Sequence, residues 1–156
     1  MKIHIFSAEK ASQHNPPRKT YTIRIYSGNP IGGTAYENLI YCPNYSFDTI
    51  KKYYFDDIKP TKEELEERFA EEPGEDLCPI TSEIAEEILS DFRTHKDSIE
   101  ELLVHCREGK SRSPAVAIAL NDIFNLGENS EELRKKFPDM NSFVYETIMK
   151  SATNFK

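Results

Sequence analysis

The chain has no tryptophan, only three cysteines and six glycines, and no run of eighteen apolar residues. Each shortage excludes something. Without about twenty consecutive apolar residues, no helix is expected to span a bilayer. No basic region followed by an apolar stretch opens the chain, so no secretory leader is expected. Cys42, Cys78 and Cys106 are too few and too scattered for a disulfide framework or a Cys-x-x-Cys zinc site. The expectation is a soluble, cytoplasmic protein with no metal centre and no cofactor. Cys42 and Cys78 read as inert; the alternative is that one of them approaches Cys106 under oxidation and protects it as a disulfide. Among the glycines, Gly32-Gly33 has no helical pattern after it, which argues against a dinucleotide-binding turn.

Nine phenylalanines and eight tyrosines supply the bulk that tryptophan does not, and 156 residues suffice for one domain, 1–156, with a real core. The net charge of −7 is uneven. Residues 63–101 hold fifteen Asp/Glu against Arg68, Arg93 and Lys96, a local sum of −12, which leaves the remainder at +5. The acidic block reads first as solvated helix faces. It also argues against nucleic acid as a partner, because that association needs basic surface facing phosphates.

Periodicity divides the chain into strands early and helices late. Residues 2–7 and 21–26 read as strands, with a loop or short helix around Pro16-Pro17 between them. Residues 39–41 and 53–58 are further strand candidates, the second ending in Asp56 and Asp57. Thr61 with Glu64 forms a capping-box pattern that opens a helix to Ala70, closed by Pro73-Gly74. Ile84, Ile88 and Phe92 mark an amphipathic helix over 81–94, and two more helices are expected at 130–136 and 141–152. The fold class is α/β, with a single central mixed sheet flanked by helices.

The densest information lies in Leu102-Leu103-Val104-His105-Cys106-Arg107-Glu108-Gly109-Lys110-Ser111-Arg112-Ser113-Pro114-Ala115. An apolar strand runs into a polar loop, and a helix with Val116, Leu120, Ile123 and Phe124 on its apolar positions follows. Pro114 is tolerated in a helix's first turn, where its missing N–H would have had no partner. Loop N–H groups and a helix N-terminus then converge on one point, an anion site. A cysteine there has its thiolate stabilised by the dipole and by guanidinium charge. Arg112 can meet two phosphate oxygens bidentately. A nucleophilic thiolate beneath a phosphate cradle is phosphatase chemistry.

His105-Cys106, five residues, Arg112 and Ser113 resemble the signature of the cysteine-dependent protein tyrosine phosphatase superfamily, in its small dual-specificity-like branch. The likeness extends from Asp57 to Tyr145 and is general over the first fifty residues. It implies a phosphate loop between strand and helix, with Cys106 as nucleophile and Arg112 holding equatorial oxygens. It also implies that Arg107, Glu108, Gly109, Lys110, Ser111 and Ser113 bind substrate, Ser113 by a hydroxyl on the leaving thiolate. His105 would order the loop from behind. The substrate would be a phosphorylated protein, most simply phosphotyrosine, with inorganic phosphate or other oxyanions also fitting the loop. A general acid is required upstream. Asp57 matches the branch's Asp-Ile pattern but stands 49 residues before Cys106, which implies an insertion over 61–75. Asp56 is the adjacent rival, and Asp76, 30 residues before the cysteine, is the other.

Two features depart from the pattern: Glu108 replaces a small residue, and Arg107 with Lys110 resembles the basic pair of phosphoinositide phosphatases. Phosphoinositide or another non-protein phosphate, and a non-catalytic phosphate-binding module, therefore stay open as alternatives. A nucleotide P-loop reading of Gly109-Lys110-Ser111 fails because Val104 stands where its first glycine belongs. The low-molecular-weight phosphatases place their loop near the N-terminus, whereas two-thirds of this chain precedes Cys106.

Overall fold

The computed structural model describes residues 1–14, 19–27, 49–58 and 78–154. Within them the order is β1 (Lys2–Ser7), α1 (Ala8–Gln13), β2 (Thr20–Tyr26), β3 (Thr49–Tyr54), α2 (Ser82–His95), a short 3₁₀ turn (Lys96–Ser98), β4 (Glu101–Cys106), α3 (Arg112–Phe124), α4 (Ser130–Lys136) and α5 (Ser142–Thr153). The strand expected at 39–41, the capped helix from Thr61 with its Pro73-Gly74 stop, the insertion over 61–75, Cys42 and Asp76 all lie outside the described residues.

The four strands form one sheet in the order β1-β4-β2-β3. Every pairing among them is parallel, with Ser7 opposite Cys106 and Arg24 opposite His105. A mixed sheet was the expectation, and the described strands correct it. Antiparallel neighbours need only a short hairpin, whereas each of these strands is reached by a connection long enough to cross back over the sheet. The central pair, β2 and β4, is buried along its whole length. That is the pattern of strands covered on both faces.

Alternation assigns the faces. Tyr21, Ile23, Ile25, Leu102, Val104 and Cys106 join a core with Ala85, Ile88, Leu89 and Phe92 of α2 and with α3 and α5. Leu103 turns the other way, onto Ala11 of α1 and Phe6. Helices α1 and α3 therefore cover opposite faces while leaving from the carboxyl ends of the adjacent strands β1 and β4. In open parallel sheets this divergence leaves a crevice above the strand ends, the usual place for a ligand.

Local chemistry explains the element ends. Thr81 caps α2 by accepting from the Ile84 N–H at 3.2 Å, and the exposed face of that helix holds Glu83, Glu86 and Glu87. That part of the acidic block is solvated helix surface, as expected. Helix α3 is buried throughout from Arg112 to Asn121; Ala115, Ala117 and Ala119 let its neighbours approach closely on every side. It stops at Asn125, in the left-handed region at φ 52°, two residues before the expected stop at Gly127. Strand β3 lies earlier than expected and ends at Tyr54, which leaves Asp56 and Asp57 in the bend beyond it. Among the described residues no helix is long and apolar enough to cross a membrane.

Phe92 is fully buried and meets Tyr21 edge-on, ring centroids 5.4 Å apart. Phe92→Ala is expected to cost about 3–5 kcal/mol in urea unfolding, while Glu86→Ala on the opposite face changes stability by less than about 0.5 kcal/mol. Equal effects would contradict the packing of α2 described above.

Candidate active site

The loop 107–111 joins β4 to α3 above the crevice, and its backbone is held by the end of β1. Gly109 has φ +73°, and a Cβ there would fall 2.5 Å from the Ser7 nitrogen and 2.6 Å from the Phe6 carbonyl carbon. No other residue fits, for reasons of both conformation and space. The Ala8 N–H donates to the Arg107 carbonyl at 3.2 Å and closes the clamp.

Cys106 ends β4 and is 2% exposed. The Gly109 N–H donates to its Sγ at 3.3 Å, and the Ser113 hydroxyl lies 3.2 Å from the same sulfur. Ser113 belongs to the first turn of α3, whose N–H groups have no intrahelical acceptors. The sulfur thus lies at the N-terminus of α3, with the Gly109 N–H and the Ser113 hydroxyl both against it. Ser111 occupies the N-cap position of α3 yet makes no side-chain cap. Its hydroxyl instead donates to Asp57 Oδ1 at 2.7 Å.

Arg112 is 7% exposed, and its Nη1 donates to the Phe55 carbonyl at 3.0 Å. The guanidinium is thereby tied to the segment that bears the two acidic candidates. Asp57 is exposed in that bend and accepts a second hydrogen bond on Oδ1, from Asn141 Nδ2 at 2.8 Å. Asp56 is engaged elsewhere: its Oδ2 accepts from the Cys78 N–H at 2.9 Å, and its own N–H donates to the Cys78 carbonyl at 2.7 Å. Neither Cys78 nor Cys106 is in a disulfide. Arg107, Glu108 and Lys110 are exposed around the loop. Among the described residues no three His, Cys, Asp or Glu side chains form a metal site.

Of the residues singled out from the sequence, Cys106, Gly109, Ser111, Arg112, Ser113 and Asp57 are brought into one constellation. Sequence reasoning missed the Phe55 carbonyl, the Phe6–Ser7 peptide and Asn141. The first two are backbone groups without a residue-type signal. Asn141 was legible only as a helix cap, since asparagine precedes the apolar positions of α5. A scan against protein-family models finds no match for the chain, and a search of curated proteins finds none either.

His105 is 1% exposed, and both ring nitrogens are buried without a hydrogen-bond partner among the described residues. The ring meets Tyr26 edge-on at 6.3 Å, so its support of the loop is by packing. Burial first, and the nearby Arg24 charge second, push its pKa from 6.5 down to about 3. The unfolded chain takes up this proton earlier as pH falls, so the stability from neutral His105 is full above about 6.5 and drains away towards about 3. Between pH 7 and 5 the wild type is expected to lose about 2 kcal/mol more than His105→Gln, measured by urea unfolding. Parallel losses in the two proteins would show that His105 titrates normally.

Proposed function

We propose that this chain is a cysteine-dependent phosphomonoester hydrolase whose substrate is phosphotyrosine in proteins, with phosphoserine and phosphothreonine as lesser substrates. The observation that carries this reading is the convergence of the Gly109 N–H and the Ser113 hydroxyl on Cys106 Sγ at a helix N-terminus. A buried structural cysteine has no use for a backbone donor, a hydroxyl and a helix N-terminus at its sulfur; a nucleophile that must be a thiolate has use for all three. Arg112 and Asp57 on either side of the same loop supply the remaining two functions.

In the first step the Cys106 thiolate attacks phosphorus. The S–P bond forms as the P–O bond to the tyrosine oxygen breaks, and Asp57 gives that oxygen a proton. Charge on the equatorial oxygens is met by Arg112 and the loop N–H groups, which act where charge develops. In the second step water attacks phosphorus and gives its proton to the Asp57 carboxylate. The S–P bond breaks, and the Ser113 hydroxyl donates to the departing thiolate. Inorganic phosphate leaves, and the protein returns to its starting protonation state. The chemistry needs no metal and no cofactor.

Cys106→Ser is expected to reduce release of inorganic phosphate from a phosphotyrosine peptide below about one ten-thousandth of wild type while retaining affinity for the peptide, because serine keeps the shape but not the nucleophilicity. Phosphate release that survives the substitution would refute the mechanism; saturable binding by the wild type without any release would establish the phosphate-reading module instead.

Asp57→Asn is expected to lower kcat on phosphotyrosine by about 10²–10⁴-fold. The loss should be far smaller on p-nitrophenyl phosphate, whose leaving group needs little protonation. Asp56→Asn, by contrast, disturbs the bridge to the Cys78 backbone and should affect both substrates alike. A leaving-group-dependent loss in Asp56→Asn would reassign the acid.

A further inference from the structure

Asn141 makes hydrogen bonds both within the start of α5 and to two other parts of the chain. Its Oδ1 accepts from the Val144 N–H at 3.1 Å and caps α5. Its backbone N–H donates to the Ser111 carbonyl at 3.1 Å, tying the start of α5 to the loop. Its Nδ2 donates to Asp57 Oδ1 at 2.8 Å. Ser111 completes the triangle, with its hydroxyl on the same Oδ1 at 2.7 Å.

Asp57 is exposed and lies in a bend, while Asn141 is 7% exposed. An exposed carboxylate costs side-chain entropy to orient, and fixed neighbours must supply that orientation. Here both donors come from outside β3: one from the N-cap of α5 and one from the loop beneath the phosphate position. The carboxyl group is therefore registered to the loop rather than to its own strand. Both donors also choose the same oxygen. An oxygen accepting two hydrogen bonds is the worse place for a proton, so a neutral Asp57 holds its proton on Oδ2.

We propose that Asn141 is a positioning residue for acid catalysis: with Ser111 it clamps Asp57 through Oδ1 and presents Oδ2 as the atom that donates the proton to the leaving oxygen. This inference rests on the phosphatase reading above and names a residue that the signature does not contain. A second consequence concerns the hydrolytic step. The same clamp holds the carboxylate in place while water enters, so the oxygen that gave the proton is the one that takes it back.

The test separates a clamp from a cap. Asn141→Ser keeps an N-cap acceptor but has no amide to reach Asp57. Asn141→Asp keeps the cap and replaces the donor with a second carboxylate. Ser111→Ala removes the other donor and leaves every cap intact. With the full chain and thermal melts as folding controls, kcat/KM is measured on phenyl phosphate, a leaving group with tyrosine's acidity of about 10, and on p-nitrophenyl phosphate. Each variant is expected to lose about tenfold or more on phenyl phosphate and less than about threefold on p-nitrophenyl phosphate, part of the 10²–10⁴ that a placed acid supplies. In an Asp57→Asn background, Asn141→Ser should cause no further loss on phenyl phosphate, because residues acting through one another are not additive.

Equal losses on both substrates, or additive losses in the double variant, would overturn the inference and leave Asn141 as a helix cap. Should both Asn141 variants fail to fold, Ser111→Ala decides by the same ratio. If turnover depends on Cys106 but Asp57→Asn shows no leaving-group effect, the clamp is refuted while the phosphatase reading survives. Absence of Cys106-dependent turnover removes both.

Discussion

The approach of Gly109 to the Phe6–Ser7 peptide is the constraint on which the rest of the site depends. With a Cβ position only 2.5 Å from the Ser7 nitrogen, the loop can lie flat on the end of β1 only as glycine and only at positive φ. That contact, closed by the Ala8 N–H on the Arg107 carbonyl, converts five residues of polar sequence into a bowl of fixed shape. It also explains the role of the parallel pairing. Ser7 lies opposite Cys106 in register, so both strands end at the same height and the loop leaving one can rest on the other. An antiparallel neighbour would bring the start of a strand, not its end, to this point. The glycine is thus a meeting of topology and local conformation, and neither alone would place the Gly109 N–H on the sulfur.

How much of this was legible in the sequence depends on how local each feature is. The strand–loop–helix at 101–124 was readable because its signals are adjacent: an apolar run, a polar loop with one glycine, a proline tolerated in the first helical turn, and helical periodicity after it. Helices α2, α4 and α5 were readable for the same reason. The parallelism of the sheet was not, because strand direction is set by what the connections do and has no residue-level mark. Strand β3 was placed too late because Thr49-Ile50-Lys51-Lys52 looks polar; at the end of the described sheet, opposite β2 alone, it tolerates lysines that a central strand would not. The contacts of the site divide in the same way. Cys106, Arg112 and Ser113 announce themselves by type and spacing. The Phe55 carbonyl and the Phe6–Ser7 peptide do not, since backbone groups are available at every position.

Charge is distributed in a way that suits an anion at the loop. Arg112 is nearly buried, and burying a guanidinium is costly unless its donors are satisfied and an opposite charge is near. The carbonyl of Phe55 accepts from one of its donors. On the proposed reading, the planar fork of the guanidinium meets the substrate dianion bidentately. Behind the loop, burial holds His105 neutral, with the Arg24 cation as the second influence, so the ring adds no charge to that of Arg24 at neutral pH. The cations at the rim, Arg107 and Lys110, are exposed and share it with Glu108, whose carboxylate offsets part of their field.

On the proposed reading, placing the acid on a bend beyond β3 creates a problem of rigidity, because that strand ends at Tyr54 and the chain continues without regular structure to Ile58. The solution is to hold the bend by its contacts on all sides. The Phe55 N–H reaches the Tyr26 carbonyl at 3.1 Å, and the Phe55 carbonyl receives Arg112. Asp56 exchanges two hydrogen bonds with the backbone at Cys78. Asp57 is held from the loop and from α5. Three consecutive residues are therefore anchored to four different parts of the chain, and only the side chain of the third faces the loop. This division assigns the neighbouring aspartates opposite duties despite their identical chemistry. The carboxylate of Asp56 fixes the bend by bonding backbone, while that of Asp57 takes both its hydrogen bonds on Oδ1, which on the proposed reading leaves Oδ2 for chemistry. Because Asn141 serves both the cap of α5 and the carboxylate, folding of the last helix and geometry of the acid are coupled through one amide. The cap uses Oδ1 of that amide and the carboxylate uses Nδ2, so a substitution that keeps the acceptor and removes the donor separates the two.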